Sequence, residues 1–205
     1  MDESELIALV HAAAEEEETI SGLIAEDVRA ESADFSRMEA DSGIFRGGTF
    51  LSCGFSHTSF TNIRFERCNF SNSNFSDAYF ASCKFIGCKF VGCDFTDALI
   101  KHSEFSGCNC SYWNGFRLSM KQVKCVETDF TEAVFTESKF AHADLSDCRF
   151  IGNTFFRAQI AGVDFSSCDF AAPVVSSPPS ELRGVTINAA QAAEIVGLLG
   201  VKVKY

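Results

Sequence analysis

A solenoid is the fold this sequence predicts, and three observations predict it. An apolar or small residue stands at every fifth position from Phe35 to Val175, with no break in phase. Two residues before each of these runs a second column, from Ala33 through Cys53, Ala78 and Cys93 to Cys108, small at every position except Met38 and Ile63. The other three positions of each five carry Asp, Asn, Ser, Thr, Lys, Arg or Gly with little size restriction. A period of five fits neither a helix nor a strand, so it marks a repeat. Of the chain's 22 Phe, only Phe116 and Phe156 lie outside the first column. One unit cannot bury its Phe alone, so successive coils must stack into a narrow, filled core.

Segments such as Cys68-Asn69-Phe70-Ser71-Asn72, Ala78-Tyr79-Phe80 and Ala143-Asp144-Leu145-Ser146-Asp147 resemble the five-residue unit of the pentapeptide-repeat family, A-[DN]-[LF]-X-X. The resemblance covers 33–175, and weaker units extend upstream through Ile20, Leu23, Ala25, Val28 and Ala30. It implies an all-β solenoid, a right-handed quadrilateral β-helix with four pentapeptides in each coil. The units from Phe35 onward then make about seven coils and a shaft roughly 35 Å long at strand-like spacing. Coil-to-coil hydrogen bonds satisfy the backbone, and the open ends need caps.

The sequence divides accordingly into an N-terminal capping helix, 1–18, a β-helix, 19–175, and a C-terminal segment, 176–205. Asp2 and Ser4 are the N-cap candidates of the first helix, and Leu6, Ile7, Leu9, Val10, Ala13 and Ala14 form its apolar face. That helix is too short and too acidic to span a membrane, and it lacks the basic start of a signal peptide. The C-terminal segment opens on a Ser176-Ser177-Pro178-Pro179 loop. Asn188 and Gln191 form a capping box, a helix runs to about Leu199, Gly200 fits its C′ position, and Val201-Lys202-Val203 reads as a short strand. This tail resembles the module through which gyrase-binding members of the family form two-fold dimers. Ile195, Val196, Leu198 and Leu199 exceed what one coil end buries, so they are expected to form a homodimer contact.

Ten cysteines invite a metal or disulfide reading. Eight of them (Cys53, Cys68, Cys83, Cys88, Cys93, Cys108, Cys148, Cys168) occupy the small column, and Cys110 and Cys125 the central one. Stacked inward, their sulfurs run parallel rather than converging on a tetrahedral point. Adjacent coils also stand farther apart than the ~3.8 Å between the Cβ atoms of a disulfide. Free, buried thiols are expected, with no metal or cofactor, and a cytoplasmic location follows.

The net charge of −11 is unevenly placed. Residues 1–32 carry ten acids against one base, Arg29, which leaves the rest of the chain at −2. Gyrase-binding relatives are associated with DNA mimicry, which needs a continuous acidic face. Here the face centred on Phe55, Phe75 and Phe95 carries Asp77, Asp94 and Asp97, while the next, through Ile100, Met120 and Phe140, carries Lys101, His102, Lys121, Lys139 and His142. Nucleic-acid binding is disfavoured by the charge and by the lack of a basic stripe with interleaved aromatics.

One coil is irregular. Trp113 stands in the small column and Gly115 in the central one, which predicts a swap in which the indole fills the volume of the missing Phe. Phe116 and Phe156 then fall at equivalent outward positions two coils apart. Either both rings form a partner patch, or local bulging tucks Phe116 inward or the tail covers Phe156. There is no insertion between 35 and 175.

No catalytic grouping is evident. His11, His57, His102 and His142 are isolated, no nucleotide-binding fingerprint occurs, and a Phe-filled shaft has no substrate cavity. The reading is a non-catalytic protein-interaction scaffold; the alternative is a gyrase-binding protein that confers quinolone protection by partial DNA mimicry. Asp77, Asp94, Asp97, Phe116 and Phe156 are the partner-binding candidates.

Overall fold

The computed structural model describes residues 2–202. It is a parallel β-solenoid of about eight turns with a helix at each end. The upstream units are real coils: strands Ile20–Ser21, Ile24–Glu26 and Arg29–Glu31 pair in register with Ala40, Phe45 and Phe50 one coil later. Adding this turn lengthens the expected shaft by one coil.

The shaft has four faces, and a stack of large residues runs down the inside of each. The first is centred on Phe35, Phe55, Phe75 and Phe95, the second on Ala40, Phe60, Phe80 and Ile100. The third is centred on Phe45, Phe65, Phe85 and Phe105, the fourth on Phe50, Phe70, Phe90 and Cys110. All are buried. Down a face the rings stack nearly parallel, as in Phe55–Phe75 (centroids 4.9 Å, planes 7° apart). Across a corner they meet edge to face, as in Phe55–Phe70 (5.6 Å, 80°). Both are favoured aromatic geometries, and each buried ring adds about 1.5–3 kcal/mol of transfer energy.

Backbone pairing runs both up and down the shaft: Phe55 N–H donates to the Asn74 carbonyl (2.7 Å), and Asn74 N–H to the Cys53 carbonyl (2.9 Å). Continuous strands lie on the second and third faces, and Glu39–Arg46 and Ser59–Glu66 each run through both. The first and fourth faces are joined mainly by single bridges, such as Asn74 with Asp94 and Asn69 with Lys89.

Each corner has a fixed backbone requirement. Every fifth residue from Gly22 to Gly162 lies in the left-handed region, with φ between +48° and +85°. Residues other than Gly adopt that region at a cost of roughly 1–2 kcal/mol, and β-branched residues worst of all. The sequence complies: that column contains Asp, Asn, Ser, Arg, His and Gly among others, but no Val, Ile or Thr. The third outward position therefore does have a restriction, one of branching rather than of size.

The small column also does more than save space. The Cys83 thiol donates to the Phe60 carbonyl (3.3 Å), that of Cys88 to Phe65 (3.4 Å) and that of Cys93 to Phe70 (2.9 Å). The Ser73 hydroxyl makes the equivalent bond to Phe50 (2.8 Å). A small side chain with a donor thus satisfies a corner carbonyl of the preceding coil. All ten thiols are free and buried. Burial pushes the Cys83 thiol up to about 11 and the Cys93 thiol up to about 12, so both stay protonated and donate. Where even a methyl is too large the column holds Gly43, whose Cβ would lie 2.5 Å from the Leu23 carbonyl oxygen.

Helix α1, Glu3–Glu16, closes the N-terminal end. Asp2 is its N-cap and Glu5 completes a capping box, while Leu6 and Val10 are buried on the first coil. Ile7, Leu9 and Ala13 are half-buried, and Ala14 is exposed, so the buried stripe is narrower than the pattern suggested.

The C-terminal end closes by a different device. Thr186 bridges Asp164, a register two residues longer than that of the shaft, and Phe165 N–H donates to the Thr186 carbonyl (2.9 Å). The chain after Val175 therefore loops out and returns to the coil rather than leaving it. Helix α2, Ala189–Gly197, follows, with Asn188 as N-cap and Gln191 completing the box. It ends two residues before Leu199; Gly200, at φ +76°, lies beyond the cap. Val201 and Lys202 are not in a strand, and Val203 lies outside the described residues, so the expected final strand is not formed at Val201 and Lys202.

Candidate interaction surface

On the first face, two outward columns flank each central residue. In the N-terminal half they are polar: Asp34, Ser36, Ser56, Asn74, Ser76, Asp94 and Thr96. From the irregular coil onward they change to Asn114, Phe116, Val134, Thr136, Thr154, Phe156 and Val174, with no charge among them. Phe156 is 41% and Val174 54% exposed, whereas Phe116 is half-buried.

Both Phe side chains point outward. The coil keeps its register through them, since Asp97 N–H donates to the Phe116 carbonyl and Glu137 N–H to that of Phe156, each at 2.9 Å. What shields Phe116 is its neighbour: the Arg117 guanidinium lies 4.4 Å from the ring centroid, and Arg157 covers Phe156 in the same way at 5.1 Å. Each arginine is held from the preceding coil. Arg117 makes a two-pronged bond to Asp97, including Nε to Oδ1 at 2.6 Å, and Arg157 bonds Glu137 at 3.3 Å. Neither arginine was singled out from the sequence; an aromatic–Arg pair repeated at a forty-residue spacing was the available signal.

The three acids selected on this face are placed together but not free. Arg117 holds Asp97 below the usual carboxylate range. Asp94 Oδ1 accepts from the Thr96 hydroxyl (2.6 Å) and from Asn114 Nδ2 (3.0 Å), and Asp77 lies 3.9 Å from His57 Nε2.

Trp113 is fully buried. Its ring lies 4.2 Å from Phe95 and meets Phe90 (6.1 Å) and Phe130 (5.6 Å) edge to face on either side of Cys110, while Phe135 and Leu118 close the space at Gly115, 3.2 and 3.3 Å from where a Cβ would lie. The indole thus supplies ring volume in the coil where Gly115 and Cys110 carry none, as expected, with Phe90, Phe95, Phe105 and Phe130 around it. Its Nε1 has no partner.

At the tail, buried side chains take over from the next coil. Glu181 Oε1 accepts from Arg157 N–H (2.8 Å) and Oε2 from Ser176 N–H (3.1 Å), and the Ser176 hydroxyl donates to the same carboxylate. Gln191 Nε2 donates to the carbonyls of Cys168 (2.7 Å) and Phe165 (3.0 Å). Burial would raise the Glu181 carboxyl, but the hydrogen bonds from Ser176 and Arg157 outweigh it and hold it below its usual range. Of the residues expected in a dimer contact, Ile195 packs on the core and Val196 is half-buried. Leu198 (41%) and Leu199 (61%) are exposed, as is Val201. Leu199 and Ile195, with Pro178, Pro179 and Leu182, line an apolar hollow of about 300 Å³. Among the described residues, no helix is long and apolar enough to cross a membrane.

Family comparisons agree with this geometry. A model of the pentapeptide repeat region matches residues 58–124, and one for pentapeptide repeats (8 copies) matches 119–152 and 138–170. No curated protein sequence matches the chain. Among solved structures, full-length QnrB1, a plasmid-mediated fluoroquinolone resistance protein, is 17% identical, with 88% of this chain and 100% of that one covered and a TM-score of 0.49. HetL, a pentapeptide repeat protein involved in heterocyst differentiation regulation in the cyanobacterium Nostoc sp. strain PCC 7120, is 11% identical, with 91% and 97% covered and a TM-score of 0.48. A pentapeptide repeat protein of the Arabidopsis thaliana thylakoid lumen is 18% identical, with 73% and 86% covered and a TM-score of 0.29.

Proposed function

From the premise that this chain belongs to the pentapeptide-repeat family, we propose that it is a non-catalytic interaction scaffold, a rigid rod that presents its first face to a protein partner. The observation that carries this reading is the pair of outward rings, Phe116 and Phe156, each backed by an arginine anchored from the coil before. Aromatic and Arg side chains dominate the energetic centres of protein interfaces, and arginines held by neighbours lose little entropy on binding. Around the two ring–arginine pairs, Val134, Thr136, Thr154 and Val174 add side chains that carry no charge. The interior is filled by ring stacks, which supports a role without chemistry.

The rod is proposed to be a homodimer through Leu198 and Leu199, with Ile195 and Val196 supporting them from the cap. Ten buried free thiols fit a reducing compartment, the cytoplasm. The alternative reading, gyrase binding with quinolone protection, draws on the apolar tail helix. It would use Asp77, Asp94 and Asp97, two of which face cationic or ionisable neighbours, Arg117 and His57.

Cross-linking in cell extract, compared between the wild type and a Phe116→Ser/Phe156→Ser variant, tests the first reading. Partners recovered with the wild type are expected to be lost with the variant and kept with an Asp77→Asn/Asp94→Asn/Asp97→Asn protein. Equal recovery by all three overturns it. A gyrase supercoiling assay with and without a quinolone decides the alternative: inhibition or drug rescue that the triple Asn variant abolishes would replace the scaffold reading.

A further inference from the structure

On the third, fourth and first faces several cations stand against a counter-charge: Arg117 pairs with Asp97, and where Arg64 and Lys84 oppose each other in register, Arg64 pairs with Glu66 and Lys84 with Glu104. Arg46 sits between Glu26 and Glu66, and Arg149 between Asp129 and Asp169. The second face differs in having no such counter-charge. Lys101 pairs in register with Lys121, Lys139 follows on the next rung, and no acid lies on this face between them. Among the described residues none of the three makes an ion pair; Lys101 instead lies over the Tyr79 ring at 5.4 Å. Like charges directly opposed on neighbouring strands are unfavourable, so this strip lacks the counter-charge that the other faces supply internally.

The missing counter-charge is present at the other end of the same chain. Asp41 lies on the second face in the same column as Lys101 and Lys121, Glu39 stands beside it, and residues 1–32 carry a net −9. They cannot reach the lysines within one molecule. Leu6 and Val10 fix α1 to the coil end, and four coils, roughly 19 Å, separate Asp41 from Lys121.

We infer that the second face is a self-complementary surface that binds a second copy of this chain, antiparallel, through charge. A two-fold axis lying in the interface at the Phe80 rung sets each column against the same column of the copy. The in-register series Ala40, Phe60, Phe80, Ile100, Met120 then places Asp41 opposite the partner's Lys121, and the reverse, with Tyr79 and Ala81 at the axis. The same operation places the partner's Lys101 opposite Thr61 and the partner's Lys139 opposite Thr19, which follows the acidic run Glu15 to Glu18 in the chain. This contact uses neither the first face nor the tail. It is small and largely solvated, so it is weak and sensitive to salt. A chain of net charge −11 repels nucleic acid beyond the strip itself, which favours an acidic protein surface as the occupant.

Sedimentation of the full chain at low and at high salt tests the inference. A salt-sensitive increment in mass is expected, beyond any contribution of the tail. Lys121→Glu and Asp41→Lys should each weaken it by about tenfold or more, and the two together should restore it, with circular dichroism confirming the fold. Mass that is independent of salt and of both reversals overturns the inference. So does lysine-dependent binding of duplex DNA without self-association.

Discussion

The Trp113 indole lies over the Phe95 ring, centroids 4.2 Å apart and planes 31° apart, and so continues a Phe stack whose next member is Gly115. A residue from the small column has crossed into the large one. Trp113→Ala should therefore destabilise the rod by about 3–5 kcal/mol, because the void cannot collapse against the stacks above and below it. Adding Gly115→Phe should return part of that loss, whereas Gly115→Phe alone should overpack the coil. Urea denaturation of the three variants would show a favourable coupling between the sites; simple additivity would mean that the two positions do not share one volume.

The thiols make a second prediction. With burial pushing Cys83 to about 11 and Cys93 to about 12, the folded state disfavours the thiolate relative to the unfolded chain. A raised folded value means that this stability is fully present below the unfolded thiol range, about 8.5, and is lost as pH rises towards 11–12. The urea midpoint should hold steady through neutrality and fall above about pH 9. A thiol reagent should label none of the ten cysteines in the folded protein and all of them once it is unfolded.

Glu181 is the third. Its carboxylate accepts the Arg157 N–H that the shaft would otherwise direct to the next coil. Glu181→Ala should leave these donors unpaired at a cost of about 1–3 kcal/mol and speed hydrogen exchange at Arg157 and Ser176 while leaving the early coils protected. Because the folded carboxyl is held below its usual value, its contribution is present above the unfolded carboxylate range and disappears as pH falls through the folded value. Exchange that quickens equally along the whole shaft would count against a local cap.

Much of this was legible in sequence for a physical reason. A filled quadrilateral core admits one large and one small side chain per unit, so Phe55, Phe75 and Cys53 announce their own environment, and Asn188 with Gln191 announces a helix start. Other features left no such mark. The left-handed corner appears in sequence only as an absence of branched residues, and a thiol that donates to Phe60 looks like any small residue.

What the sequence determined by itself is the solenoid, its phase and its inward columns, because burial at a fixed period leaves few other ways to fold. Tertiary structure alone decided which outward side chains meet. Arg117 over Phe116 and against Asp97, and Glu181 under Arg157, are pairings that nothing in the repeat pattern marks. Stacking of successive coils and the return of the tail make them neighbours, and that packing, not local propensity, decides which side chains meet on the surface.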